Sequence, residues 1–138
     1  MKVYAVIDTN VIVSALLTKN SLSATARILD ALQQRDIKLL YNDEILNEYR
    51  EVLARPKLRL DAWEVADVLK FIESEGVPSS RIQSEEIFPD PKDIVFYEVA
   101  LSKDDAYLMT GNKKHFPQKP IVVTPAEMMD ILAEIENR

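Results

Sequence analysis

The 138-residue chain has no cysteine, is 47% hydrophobic and carries a formal net charge of −6. That length supports one apolar core and is short for two ordinary domains; the lack of thiols excludes a disulfide framework, a cysteine-based zinc site and a thiol nucleophile. The negative balance weakly disfavours a surface that attracts nucleic acid everywhere: if Asp8, Glu48, Asp90 and Asp93 hold cations, the −6 loses four negative charges and becomes −2, and local basic segments then dominate.

Met1 to Asp8 holds a short apolar run cut by an acid, unlike a secretory or membrane-spanning segment, so a soluble cytoplasmic protein with no membrane partner is expected. Val3 to Ile7 reads as a buried strand, and Asp8-Thr9-Asn10 as a turn into the helix carrying Val11-Ile12-Val13 and Ala15-Leu16-Leu17. Ser21 to Gln34 has apolar residues at helical spacing, and Ile37 to Leu40 is a short strand. Asp43 to Leu53 is a second amphipathic helix ended by Pro56. Asp61-Ala62-Trp63-Glu64 resembles a capping box opening a helix to about Glu75. A strand is expected around Arg81 to Gln83. Asp90-Pro91-Lys92-Asp93 precedes a helix from Ile94 to Leu101, and Thr124-Pro125-Ala126-Glu127 opens the last helix. Between them, Ala106 to Thr110 and Ile121 to Val123 read as strands. Alternating helices and apolar strands without an Asn-Gly hairpin signal predict one α/β domain, with a central parallel sheet of about five strands and helices on both faces.

Loops leaving the C-terminal ends of parallel strands line a single crevice. Two such exits are Asp8-Thr9-Asn10 and Thr110-Gly111-Asn112. Asp8 is a candidate metal ligand there, with Asn10 and Thr110 orienting ligands or water; the plainer reading makes all of them caps and turn formers. At about 100° per residue, Glu48 falls at the edge of its helix's buried face, Glu51 points nearly opposite and Glu44 lies between. Asp90 and Asp93 start a helix, where capping alone explains carboxylates, yet several acids gathered there repel unless a cation compensates them. Hard oxygen donors suit Mg2+ or Mn2+ better than zinc.

The run Val6-Ile7-Asp8-Thr9-Asn10-Val11, the helix Glu44 to Leu53, Asp90-Pro91-Lys92-Asp93 and Thr110-Gly111-Asn112 together resemble the successive motifs of the PIN-domain family, closest in spacing to toxin components of prokaryotic toxin–antitoxin systems. The resemblance implies a three-layer fold and an Mg2+- or Mn2+-dependent endoribonuclease that hydrolyses RNA phosphodiester bonds. Asp8 takes the first acidic position, Glu48 the second and Asp93 the third, with Asp90 assisting. The fourth, commonly aspartate, falls on Asn112, which removes a charge and weakens any second metal position. Asp104 and Asp105 lie at the wrong end of a strand to replace it. An antitoxin and a homodimer are the implied partners.

Thr9 and Ser14 are hydroxyls that can orient a ligand or bond back to their own helix. Arg50, with Arg55, Lys57 and Arg59, and the run Lys113, Lys114, His115 and Lys119 are the basic segments that can hold an RNA backbone. Trp63 and the tyrosines read as packing residues. A dehalogenase-type phosphatase needs an aspartate where Asn10 stands, and a receiver domain needs an acid pair near the first strand, where only Asp8 is present. The rival of another class is a catalytically weak PIN-like scaffold that binds RNA or a protein, for which Asn112 is the main support.

Overall fold

The computed structural model describes residues 2–137. The first apolar run forms strand β1 (Val3–Ile7), and Asp8 passes the chain into helix α1 (Thr9–Leu17). Ser23 accepts the Ala26 amide to start α2 (Ala24–Gln33), and β2 (Ile37–Tyr41) follows. Asn42 caps α3 (Asp43–Leu53) through the Ile45 amide, and Asp61 caps α4 (Ala62–Glu75) through the amides of Trp63 and Glu64. After β3 (Val77–Pro78), a 3-10 turn over Pro91–Asp93 leads into α5 (Ile94–Ala100). Strands β4 (Tyr107–Met109) and β5 (Val122–Val123) precede α6 (Pro125–Glu136), whose start is a full capping box between Thr124 and Glu127.

All five strands are parallel, in the order β3-β2-β1-β4-β5. Consecutive residues of a strand face opposite sides of the sheet. Ala5, Val6 and Ile7 are each 0% exposed, so both sides of β1 are covered, as an all-parallel sheet requires. Because β2 and β3 are laid down on one side of β1 and β4 and β5 on the other, the sheet has its switch point between β1 and β4. Open α/β sheets bind ligands outside that point, at the carboxyl ends of the strands. Here those ends are Asp8 and Thr110. None of the helices among the described residues is long and apolar enough to cross a membrane.

Three sequence expectations change. The strand expected near Arg81 is absent: the free edge of β2 is taken by Val77 and Pro78, opposite Leu40 and Tyr41, and the Ile82 amide bonds the Glu98 carbonyl of α5 instead of a strand. The first turn after Asp90 is 3-10, not α, so Asp93 rather than Asp90 stands at the N-cap of α5. Trp63 is not a packing residue, being 81% exposed on the first turn of α4.

Gly76 ends α4 where it passes β2. A Cβ added there would lie 2.5 Å from the Ile72 carbonyl oxygen and 2.9 Å from the Tyr41 ring, and the carbonyl belongs to a helix that cannot yield locally. Gly76→Ala should lower the unfolding free energy by about 1–3 kcal/mol, the usual cost of overpacking. Gly111→Ala, whose added carbon meets nothing within 4 Å, should be near neutral. Urea denaturation of both variants checks this; a Gly76→Ala protein as stable as the parent would refute the close approach of α4 to β2.

Candidate active site

The site is organised by the peptide that joins Ile7 to Asp8. Its N–H donates to the Met109 carbonyl of β4, and its C=O accepts the hydroxyl of Tyr49. Tyr49 is fully buried in α3, one residue after Glu48, so anchoring its hydroxyl at the end of β1 brings Glu48 to the same end of the sheet. The link closes with the Thr9 hydroxyl, which donates to the Glu48 carboxylate. Thr9 therefore does not bond back to its own helix, and Ser14 is exposed on α1 rather than a buried helix hydroxyl.

Asp8 is buried, and its Oδ2 accepts the Thr110 hydroxyl at 2.8 Å. The same Thr110 oxygen accepts the Asn112 amide at 3.1 Å, so one buried threonine ties β4's exit loop to β1's acid. Asp8 stands at the N-cap of α1 without capping it through its side chain, and Asp93 does likewise at α5. Capping therefore does not account for either carboxylate. It does account for Asp90, exposed, whose carboxylate accepts the Lys92 amide at 3.0 Å.

Burial drives the three inward acids up from their ordinary pKa values, and their mutual repulsion adds to it. Desolvation raises Asp8, against the opposing pull of the Thr110 hydroxyl, the Thr9 amide and His115. Glu48 is raised first by desolvation and then by Asp8 and Glu51, while Thr9 and Lys92 oppose. Asp93 moves furthest, to about 6, through desolvation and the charges of Asp8, Asp90 and Glu48, with His115 opposing. These three carboxylates lie within electrostatic reach of one another across β1, α3 and α5. Among the described residues no group of three or more His, Cys, Asp or Glu side chains forms a ready-made ligand set. The donors still fit a hard divalent cation, because they are carboxylate oxygens held in partial burial beside one another, and a cation offsets both the lost solvation and the repulsion.

The remaining candidates are placed unevenly. Asn112 is exposed and caps a 3-10 turn over Lys113–His115 through the Lys114 amide, so its side chain serves the turn. Its amide nitrogen faces His115 Nε2 at 3.1 Å, which leaves Nδ1 to carry the hydrogen of the neutral ring, 3.7 Å from Asp93 Oδ2. The side chain at the expected fourth acidic position thus meets the site through His115, and its backbone amide through Thr110. Asn10 is exposed in the first turn of α1, and no hydrogen bond joins it to the acids. Arg50 leaves the expected basic surface altogether: it pairs with Glu73 of α4 and bonds Asn47 on its own helix. Lys113 pairs with Glu127 at 3.1 Å, while Lys114 is exposed on the loop beside the site. Two further residues act on the site. Lys92 is the cation that opposes the shift on Glu48, and its signal was its place between Asp90 and Asp93. Tyr49, a packing residue by its place in the buried stripe, also anchors α3 at the end of β1, and its position next to Glu48 is the signal for that role.

Comparison with known proteins adds one match. A family model described as the PIN domain matches residues 4–114, a span that takes in Asp8, Glu48, Asp93 and Thr110. No curated protein and no solved structure matches the chain. PIN domains are nuclease-type folds, generally hydrolases that work with divalent metals. With this match over most of its length, on a five-stranded parallel sheet whose switch point carries the acids, the chain belongs to the PIN-domain family.

Proposed function

We propose that this chain is a metal-dependent endoribonuclease that hydrolyses RNA phosphodiester bonds, and that it is the toxin of a toxin–antitoxin pair. The observation that carries the nuclease reading is the convergence of Asp8, Glu48 and Asp93 at the switch point, two of them at helix starts they do not cap. Mg2+ or Mn2+ held by these three, with Asp90 as an outer charge, would supply an activated water and stabilise charge on the phosphate. Thr110 holds Asp8 in one orientation and Thr9 holds Glu48. His115 stands against Asp93 on the side of the basic loop, where it and Lys114 can meet the phosphate backbone of RNA. Asn10 and Ser14, both exposed on α1, are left as outer supports. The toxin role, an antitoxin partner and a homodimer rest on the resemblance of the motifs to that branch of the family.

The scaffold reading keeps one specific support, which is that Asn112 serves its own turn instead of adding a fourth carboxylate. Cleavage of unstructured RNA by the purified protein decides between the two. Activity should require Mn2+ or Mg2+, vanish with EDTA, and fall by more than about 100-fold in Asp8→Asn, because ligands cost more than the groups that orient them. Thr110→Val should cost about 10–100-fold while the protein stays folded. RNA retained without turnover by the metal-loaded parent would sink the nuclease and leave the scaffold.

The burial of Asp93, reinforced by the charges of Asp8 and Asp90, makes a separate prediction. A carboxyl whose folded pKa lies above its ordinary value binds its proton more tightly when folded, so the stability it contributes is complete below about 3.8 and lost as pH rises through about 6. In EDTA the protein should therefore gain stability as pH is lowered from 7 towards 4. Asp93→Asn should stabilise it at pH 7 by on the order of 1 kcal/mol, reduced for partial solvent access, and flatten that part of the profile. Denaturant midpoints across this pH range test it; an unchanged profile in Asp93→Asn would show that the fold does not raise Asp93.

A further inference from the structure

Arg81 lies in the segment 79–90, which has no regular structure and delivers Asp90 and Asp93 to the site. Its Nε bonds the Glu98 carboxylate, and Nη1 reaches both oxygens of Glu44 at 2.9 and 2.8 Å. Glu98 is 5% exposed, in a helix whose other residues from Val95 to Ala100 are all buried and uncharged. Its carboxylate also accepts the Ser84 amide, so the charge is matched within the fold. The two acids on Arg81 belong to the two helices that carry site residues. Glu44 is one turn before Glu48 in α3, and Glu98 lies in α5, which starts at Asp93.

We propose that Arg81 is a positioning residue of the acidic site: by gripping Glu44 of α3 and Glu98 of α5 on one planar guanidinium, it sets the separation of Glu48 and Asp93. A guanidinium suits this because its donors are fixed in one plane, so two carboxylates bound to it are held at a defined spacing. The neighbouring segment adds further anchors: Lys119 pairs with Glu86, and the Phe88 ring packs edge-on against Tyr97 and Phe116. Those contacts secure the segment to α5 and the loop before β5, whereas Arg81 alone joins it to α3 through an ion pair among the described residues. The inference rests on the metal-site reading for its functional meaning but not for its geometry.

Metal-free protein titrated with Mn2+, with free ion read by electron paramagnetic resonance, tests it in the parent, Arg81→Lys, Glu44→Gln, Glu51→Gln and Asp8→Asn. Lysine keeps the charge but loses the fork. Glu44→Gln, at a side chain 59% exposed, removes only the α3 end of the grip and leaves Glu98 matched. Glu51→Gln removes a like charge from the same helix without touching Arg81 and serves as the charge control. Arg81→Lys and Glu44→Gln should bind Mn2+ about tenfold more weakly than the Glu51→Gln control, as for groups that orient ligands. Residual dipolar couplings of the metal-free variants should show α3 and α5 turned relative to each other. Affinities equal to the control with unchanged couplings would overturn the proposal and leave Arg81 securing the segment only. Parent protein that binds Mn2+ no better than Asp8→Asn would refute the metal site instead, and the couplings then decide on Arg81 by themselves.

Discussion

Everything at the candidate site hangs on the Ile7–Asp8 peptide, which is bonded from both sides. A fully buried tyrosine must give its hydroxyl a partner or leave a polar group stranded in the core. Tyr49 finds that partner in the Ile7 carbonyl, and this choice fixes where α3 ends against the sheet. The N–H of the same peptide is held by Met109, the residue before Thr110. One planar unit thereby brings together β1, α3 and β4, and the three side chains that follow from it, Asp8, Glu48 and Thr110, are neighbours in space though far apart in the chain. Moving any one of these elements would break a buried hydrogen bond as well as displace an acid.

The carboxylates of the fold fall into two groups, and the division separates architecture from chemistry. Glu75, Glu98 and Glu127 are held below their ordinary pKa values. Arg35 is the principal cause for Glu75 and the Thr124 amide for Glu127, while at Glu98 the Arg81 and Ser84 bonds outweigh the effect of burial. Each has a donor within the fold, so each is explained by structure alone. Asp8, Glu48 and Asp93 are all raised, because burial and one another's charge outweigh the hydroxyls of Thr9 and Thr110, the Thr9 amide, Lys92 and His115. A fold that fully matches its structural acids and only partly compensates three acids in one place has concentrated charge there. Strongly perturbed acids in a crevice are the physical mark of a functional site.

Local signals made most of the fold legible, and nonlocal ones made the rest obscure. The bounds of α3 followed from an apolar stripe and a following proline, and α6 from a capping box; both are set within a few residues of chain. The two residues of β3 carry no alternation, and they become a strand only because β2 offers them an edge, which no local pattern announces. The same distinction runs through the site. The position of Asp8 after a buried strand and that of Glu48 at the border of a stripe could be placed by period alone. Arg50 was grouped with other basic residues by its position in the chain, but its partner Glu73 comes from another helix. Thr9 and Thr110 looked like caps because their acceptors, Glu48 and Asp8, lie 39 and 102 residues away.

The distribution of cations bears on how a chain of net charge −6 would meet RNA. Arg35, Arg50, Arg55, Arg81, Lys113 and Lys119 are each paired with a glutamate, so their charge is largely spent within the fold. Lys92 acts on Glu48 and Lys114 is exposed on the loop that carries His115, and two lysines cannot outweigh Asp8, Glu48, Asp90 and Asp93. Without a bound cation the field at the crevice therefore repels a phosphate. On the nuclease reading, the cation must do more than activate water: it reverses the sign of the field over the site, and phosphate affinity should rise and fall with its occupancy. On the same reading the site is closed to nucleic acid until it is loaded, a constraint that follows from where the paired arginines sit and not from the acids alone.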